Sequence, residues 1–318
     1  MKRQTGKLGH AFALLVAVAA VWSCSSSGGG ISGTSLVIGP IDEFGSIVVN
    51  GIEFDTDNAE VFLEGDPATL ADLQLGMVVF VQGAVKKNGL RGRADIVAAD
   101  HVLLGPVEAV NALDGTFVSL SQLVITDADT VFASTTIDTL APGDNVEIFG
   151  FFDGDGSIRA TRVERFDDIE EIELTGTISN LDTIAETFSL NLLTVDFSMA
   201  EIEDAPPGGL EDGMLVEVET EEAPINDLML AAGVEVRDSD LPVDVGDGVE
   251  IAGFISELVS ADEFVLNGAQ TVFVTPDTVF EDGDASDLVL NARVEVEGVF
   301  EIDGSLTAEE IEFEGPSP

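Results

Sequence analysis

The chain of 318 residues has no tyrosine, one tryptophan, one cysteine and two histidines, and it sets 12 lysines and arginines against 61 aspartates and glutamates. Each shortage excludes something. A single cysteine, Cys24, rules out an intrachain disulfide and any thiolate metal site. His10 belongs to the N-terminal segment, so His101 is the one imidazole of the remainder. That is too few for a histidine-based zinc site and unconvincing for a serine–histidine–aspartate relay; its position between two repeat units reads as a linker residue. The scarcity of cations excludes nucleic acid as a partner, because that binding is driven by lysine and arginine on phosphates. Without tryptophan or tyrosine platforms beyond Trp22, only phenylalanine is left to stack on a sugar.

What is there begins with an address. Lys2, Arg3 and Lys7 precede an unbroken apolar run of twelve residues, Ala11 to Trp22, and then Ser23 and Cys24. A positive start, a short apolar core and a small residue before a cut form an export signal. Twelve residues rise about 18 Å as a helix, short of a hydrocarbon core of about 30 Å. The stretch resembles a bacterial lipoprotein signal, although Trp22 stands where a small residue is usual. The resemblance implies removal of residues 1–23, a lipid on Cys24 that anchors the chain to a membrane, and a flexible tether over 24–35, of which Ser25 to Gly30 is all Ser and Gly. Ser25 after the cysteine resembles the sorting rule for outer-membrane delivery in Gram-negative cells. The other reading is an ordinary secretory signal with a stray cysteine.

Removing residues 1–23 takes away three basic residues and no acids, so the mature chain is more acidic than the full-length net charge of −49. Such a charge repels nucleic acid and anionic lipid. Apolar residues nevertheless make up 45% of the chain, too many for a disordered acidic tail. Valine, isoleucine, leucine and phenylalanine dominate them, in short alternating runs, and no later stretch keeps a helical period.

One stretch is written four times. Leu73, Gly76 and Val79-Phe80-Val81 recur as Leu140, Gly143 and Val146-Glu147-Ile148, as Leu210, Gly213 and Val216-Glu217-Val218, and as Leu288, Asn291 and Val294-Glu295-Val296. A leucine closes a pocket, a glycine or asparagine turns the chain, and a strand follows with alternate residues buried. Openings at Gly39, Gly105, Gly176 and Gly253 and closings at Val97, Val163, Val234 and Ile311 frame the same pattern. The expected fold is all-β: four tandem small OB-like β-barrels of five to six strands each, over 36–103, 104–168, 169–238 and 249–315, with a linker at 239–248 that lets the fourth unit swing. A small open sandwich is the alternative. The Gly-x-Ile opening, the Val-x-Val-x-Gly strand and the Ala-x-x-Val close resemble the bacterial domain-of-unknown-function family numbered 5666, small β domains found in tandem in exported lipoproteins. The third copy departs most, with Thr220 in place of the strand-ending glycine. The resemblance brings no activity and no functional residues.

Candidate sites are few. Asp153, Asp155 and Ser157 have the spacing that begins a calcium loop, but Ile158 replaces the required glycine, so a solvated turn is the plainer reading and Ca2+ binding is at most weak. Acids such as Glu217, Glu219, Glu295 and Glu297 fall at outward positions and read as a solvated face rather than a catalytic pair. Phe80 stands where other copies carry Glu217 and Glu295, and Phe149 where they carry Glu219 and Glu297, with Phe151 and Phe152 following it. They mark a contact surface, either between the first two copies or with a protein partner, unless a bulge at Gly150 turns them inward. Arg91, Arg93, Arg159 and Arg162 gather in the same two copies, open to an acidic partner or to acids of the chain itself. The expected function is a non-catalytic structural or interaction module anchored in the cell envelope, without a cofactor. The alternative is a protein that binds an oligosaccharide or divalent cations through its acidic faces.

Overall fold

The computed structural model describes residues 34–43, 46–86, 89–237 and 243–314. Cys24, residues 24–33 of the expected tether and the expected signal lie outside them, as do residues 239–242 of the expected linker. The described chain is all-β, built of small repeated barrel-like sheets; its one helical turn, Ala285–Asp287, has three residues.

The circuit is plainest in the second repeat. Leu103–Asn111 pairs antiparallel with Thr116–Ser119, which pairs antiparallel with Gln122–Ile125. That third strand runs parallel to the closing strand, Ile158–Phe166. The closing strand pairs antiparallel with Asn145–Phe152, which returns to Leu103–Asn111. Five strands thus close a ring in OB-like order, and Val131–Ala133 adds a short parallel strand to the closing one. Residues 34–99 and 248–313 close the same ring. Between them, 172–236 follows the same order with its opening and closing strands each broken in two.

The repeated stretch does what its residue types require. Leu73, Leu140 and Leu210 are buried, and the turn residue three positions on has φ of 78° at Gly76, 92° at Gly143, 92° at Gly213 and 65° at Asn291. The strand-ending glycine has a different task. At Gly83, Gly150 and Gly298 the ladder slips by one residue, and a Cβ there would lie 2.0–2.4 Å from a carbonyl oxygen of the closing strand. Only a glycine lets the bulged strands approach so closely.

The rings are not separate beads. Ser35–Ile38 runs parallel to Gly248–Ile251, which joins the first and fourth repeats in one 13-stranded sheet. Leu103 and Leu104 pair with Leu174 and Glu173, carrying a 10-stranded sheet from the second repeat into the third. Cores are shared as well: one apolar cluster spans the second and third repeats, Phe149 sits in that of the first, and Leu36 in that of the fourth. The fourth unit, expected to swing on a linker, is therefore held along its opening strand.

The turn glycines provide a test of this packing. A Cβ on Gly76 would meet the Thr161 carbonyl oxygen of the second repeat at 2.6 Å, whereas one on Gly143 meets nothing within 4 Å. Gly143→Ala should cost only the left-handed conformation, about 1–2 kcal/mol, and Gly76→Ala about 3–4 kcal/mol. Urea unfolding of the two variants checks the difference; equal losses would contradict close packing of the first repeat on the second.

Candidate functional site

The phenylalanines form contacts within the chain. The bulge at Gly150 is present, and Phe149 is fully buried in the core of the first repeat. Phe80 is half-buried against the core of the fourth repeat, Phe151 is buried with its ring 6.5 Å from that of Phe254, and Phe152 packs on the core shared by the second and third. Among the four, only Phe149 joins the first two copies; the others pack on the third or fourth. The arginines likewise meet the chain's own acids. Arg91 pairs with Glu53 at 3.1 Å and Arg93 with Asp95 at 3.0 Å, both exposed. Arg159 pairs with Asp153 at 3.0 Å and lies over the Phe254 ring. Arg162 is buried, bonded to Glu164 at 2.7 Å and donating to the Leu75 carbonyl of the first repeat at 2.9 Å.

Asp153 and Asp155 form a turn. Asp153 Oδ1 accepts from the amides of Asp155 and Ser157, and Asp155 accepts from the Ser157 amide and hydroxyl. Burial raises the Asp153 carboxyl above its ordinary range, and the Ser157 hydroxyl lowers that of Asp155. With a bonded turn and Arg159 taking these oxygens, the pair does not present a calcium cage.

The residue read as a linker, His101, is the centre of a buried polar junction. His101 is buried because Arg91–Ala99 runs into Leu103–Asn111 with three residues between. Nδ1 lies 2.7 Å from Glu64 Oε1 and 3.4 Å from Glu147 Oε1, and Nε2 lies 2.5 Å from Glu173 Oε2. These carboxylates come from three repeats. Glu64 sits at a φ of 53° beyond the strand Glu60–Leu63, its amide bonded to Ala99 and its carboxylate to the His101 amide. Glu147 and Glu173 both stand opposite Leu104, one on each side. Burial alone would push the imidazole down; the Glu64 and Glu173 carboxylates outweigh it and push it up to about 10. The acid ladder continues to Glu217, buried and 2.6 Å from Arg237, and to Glu219, which burial and Glu171 push up to about 7.

A second acidic group lies where the fourth repeat meets the first. Glu250 is buried on Gly248–Leu258; Glu297 stands opposite it on Arg293–Phe300, which also carries Glu295. Beyond them are Glu310, Glu312 and Glu314, with Arg293 bonded to Glu314 and 3.1 Å from Asp129. A cleft of about 230 Å³ opens here, lined by Asp42, Asn50, Arg293, Glu295, Glu312 and Glu314 among others. Burial and Glu297 push Glu250 up to about 8; burial and Glu250 push Glu295 up to about 9. Of these, Glu250 is buried, while Glu295 and Glu297, expected on a solvated face, are half-buried.

Glu250 and Glu295 keep in the folded chain a proton that they release in the unfolded chain, so folding takes up protons between about pH 4.5 and 9 and stability falls as pH rises through that window. Glu295→Gln keeps the shape and removes the charge. It should stabilise the chain by about 1–2 kcal/mol near pH 8, the full shift being screened at a partly exposed site, and leave it unchanged near pH 5. Urea unfolding at the two pH values checks this; an equal effect at both would contradict it.

Comparison with known proteins adds a family. No curated protein matches the chain. A solved structure titled "drosophila Unr CSD456" matches at 14% identity over 68% of this chain and 98% of that one, with a TM-score of 0.17, too low to bear on fold or function. The profile of the family described as "Domain of unknown function (DUF5666)" matches residues 37–94, 105–164 and 252–312, the first, second and fourth rings. Those matches cover more than half of the sequence, and the chain belongs to the DUF5666 family.

Proposed function

We propose that this protein is a lipid-anchored, extracytoplasmic structural or protein-interaction module of the bacterial cell envelope, on the outer membrane, with no catalytic role. The observation that carries the structural reading is how the rings are joined. Two sheets cross from one repeat to another, and the buried phenylalanines, Arg162 and His101 bond across repeat boundaries. Side chains that a binding or catalytic surface would expose are taken up in holding the repeats together. The address rests on the sequence of residues 1–30, with Cys24 as the lipidated residue.

The cleft beside Glu295 and Glu312 favours a second reading, a module that binds through divalent cations at its acidic faces. Calcium titration by calorimetry separates the two: saturable micromolar heat supports the second reading, and weak heat abolished by salt supports the first. A pull-down from native envelope with the full chain would identify the protein partner. For the anchor, Cys24→Ser should move the protein from the detergent-extracted envelope fraction to the soluble extracytoplasmic fraction. A variant that stays with the membrane would overturn the lipoprotein assignment.

A further inference from the structure

We propose that the cleft where the first, second and fourth rings meet binds one small zwitterion with an apolar side chain, an apolar α-amino acid. The inference does not depend on the anchoring or scaffold reading. The cleft encloses about 310 Å³. Ligand pockets run from about 300 to 1,000 Å³, so this one suits a single amino acid rather than a longer peptide. Its floor is apolar: Phe151, Ala160 and Phe254 line it and are buried, and the two phenylalanine rings lie 6.5 Å apart. Its rim carries both signs of charge. Asp42, Asp127 and Asp129 line it together with Arg159 and Arg293. The lining residues come from three repeats, so no single copy of the sequence pattern contains the site.

The polar groups decide the class of ligand. Arg159 gives its Nε to Asp153 and lays its guanidinium over the Phe254 ring, 5.3 Å from the centroid. Its two Nη atoms make no hydrogen bond among the described residues. Arg293 meets Glu314 through Nε and Asp129 Oδ2 through Nη1, at 3.1 Å, and its Nη2 makes no bond among the described residues. A cation and an anion therefore stand side by side on the rim, each with an atom to spare. A head group that carries an ammonium and a carboxylate on one carbon matches that pairing, because charge-assisted bonds form on both sides. With three carboxylates against two guanidiniums, the rim disfavours a ligand that carries a carboxylate alone. A ligand that carries an ammonium alone leaves the guanidinium donors unanswered. A zwitterion answers both, and its side chain reaches the phenylalanine floor.

The test is calorimetry on the full chain in detergent, near neutral pH and at low salt. The probes are L-phenylalanine, L-leucine, 3-phenylpropanoate, which lacks the ammonium, and phenethylamine, which lacks the carboxylate. The expected result is a single equivalent of phenylalanine or leucine, with both single-charge analogues weaker by about tenfold or more. Arg159→Gln and Asp129→Asn should each weaken phenylalanine binding by about tenfold or more. Arg93→Gln, which removes an exposed arginine outside the cleft, leaves it unchanged. Absence of saturable heat with either amino acid would overturn the site. So would an analogue that binds as tightly as phenylalanine, which marks a plain anion or cation site instead. Binding that survives in both cleft variants, or is lost equally in Arg93→Gln, lies elsewhere and overturns it too. Should Arg159→Gln fail to fold, Asp129→Asn, at an exposed position, and the analogue series decide.

Discussion

A β-ring of some 65 residues encloses little apolar volume, and that shortage governs how this molecule is built. A unit of that size buries only about three-fifths of its unfolded surface, which is marginal against the entropy of ordering the chain. The rings make up the difference by lending each other strands and side chains. Leu36 leaves the first ring's core to fill the fourth's, Phe149 leaves the second's for the first's, and the second and third rings share one core. Sharing along strand edges also removes open hydrogen-bonding groups that would otherwise invite pairing with other chains.

The same economy explains the ionisable groups. A strand that borders a neighbouring ring has a restricted solvent face, so an acid at an alternating position exchanges water for whatever lies opposite. Where cations stand near, as with His101 or Arg237, the acids pair with them. Where Arg293 is shared by several carboxylates, Glu250 and Glu295 retain protons instead. A sequence so short of lysine and arginine has few other options.

Much of the ring was legible in the sequence. The leucine, the positive-φ turn and the alternating valines are local requirements, and all appear where the repeat places them. The hairpin at Leu120-Ser121 was less visible, because both residues take positive φ without glycine or asparagine to signal it. What was not legible is which rings touch. Alternation tells in from out for one sheet and is silent on whether the outside meets water or another ring, so Glu217 and Glu295 were read as solvated and His101 as a linker. One clue was present: a junction with no spare residues between two rings leaves a side chain at its middle nowhere to go but inward.

The parallel pairing of Ser35–Ile38 with Gly248–Ile251 has a mechanical meaning. The opening strand also pairs along Thr34–Pro40 with Val78–Ala84, so it lies between two neighbours at the start of the described residues. A pull on that end is directed along the strand and across both ladders of hydrogen bonds together, which must shear as a group rather than unzip singly. Tension from the N-terminal side is thereby divided between the first ring and the fourth at the outset, and the rest of the molecule carries less of it.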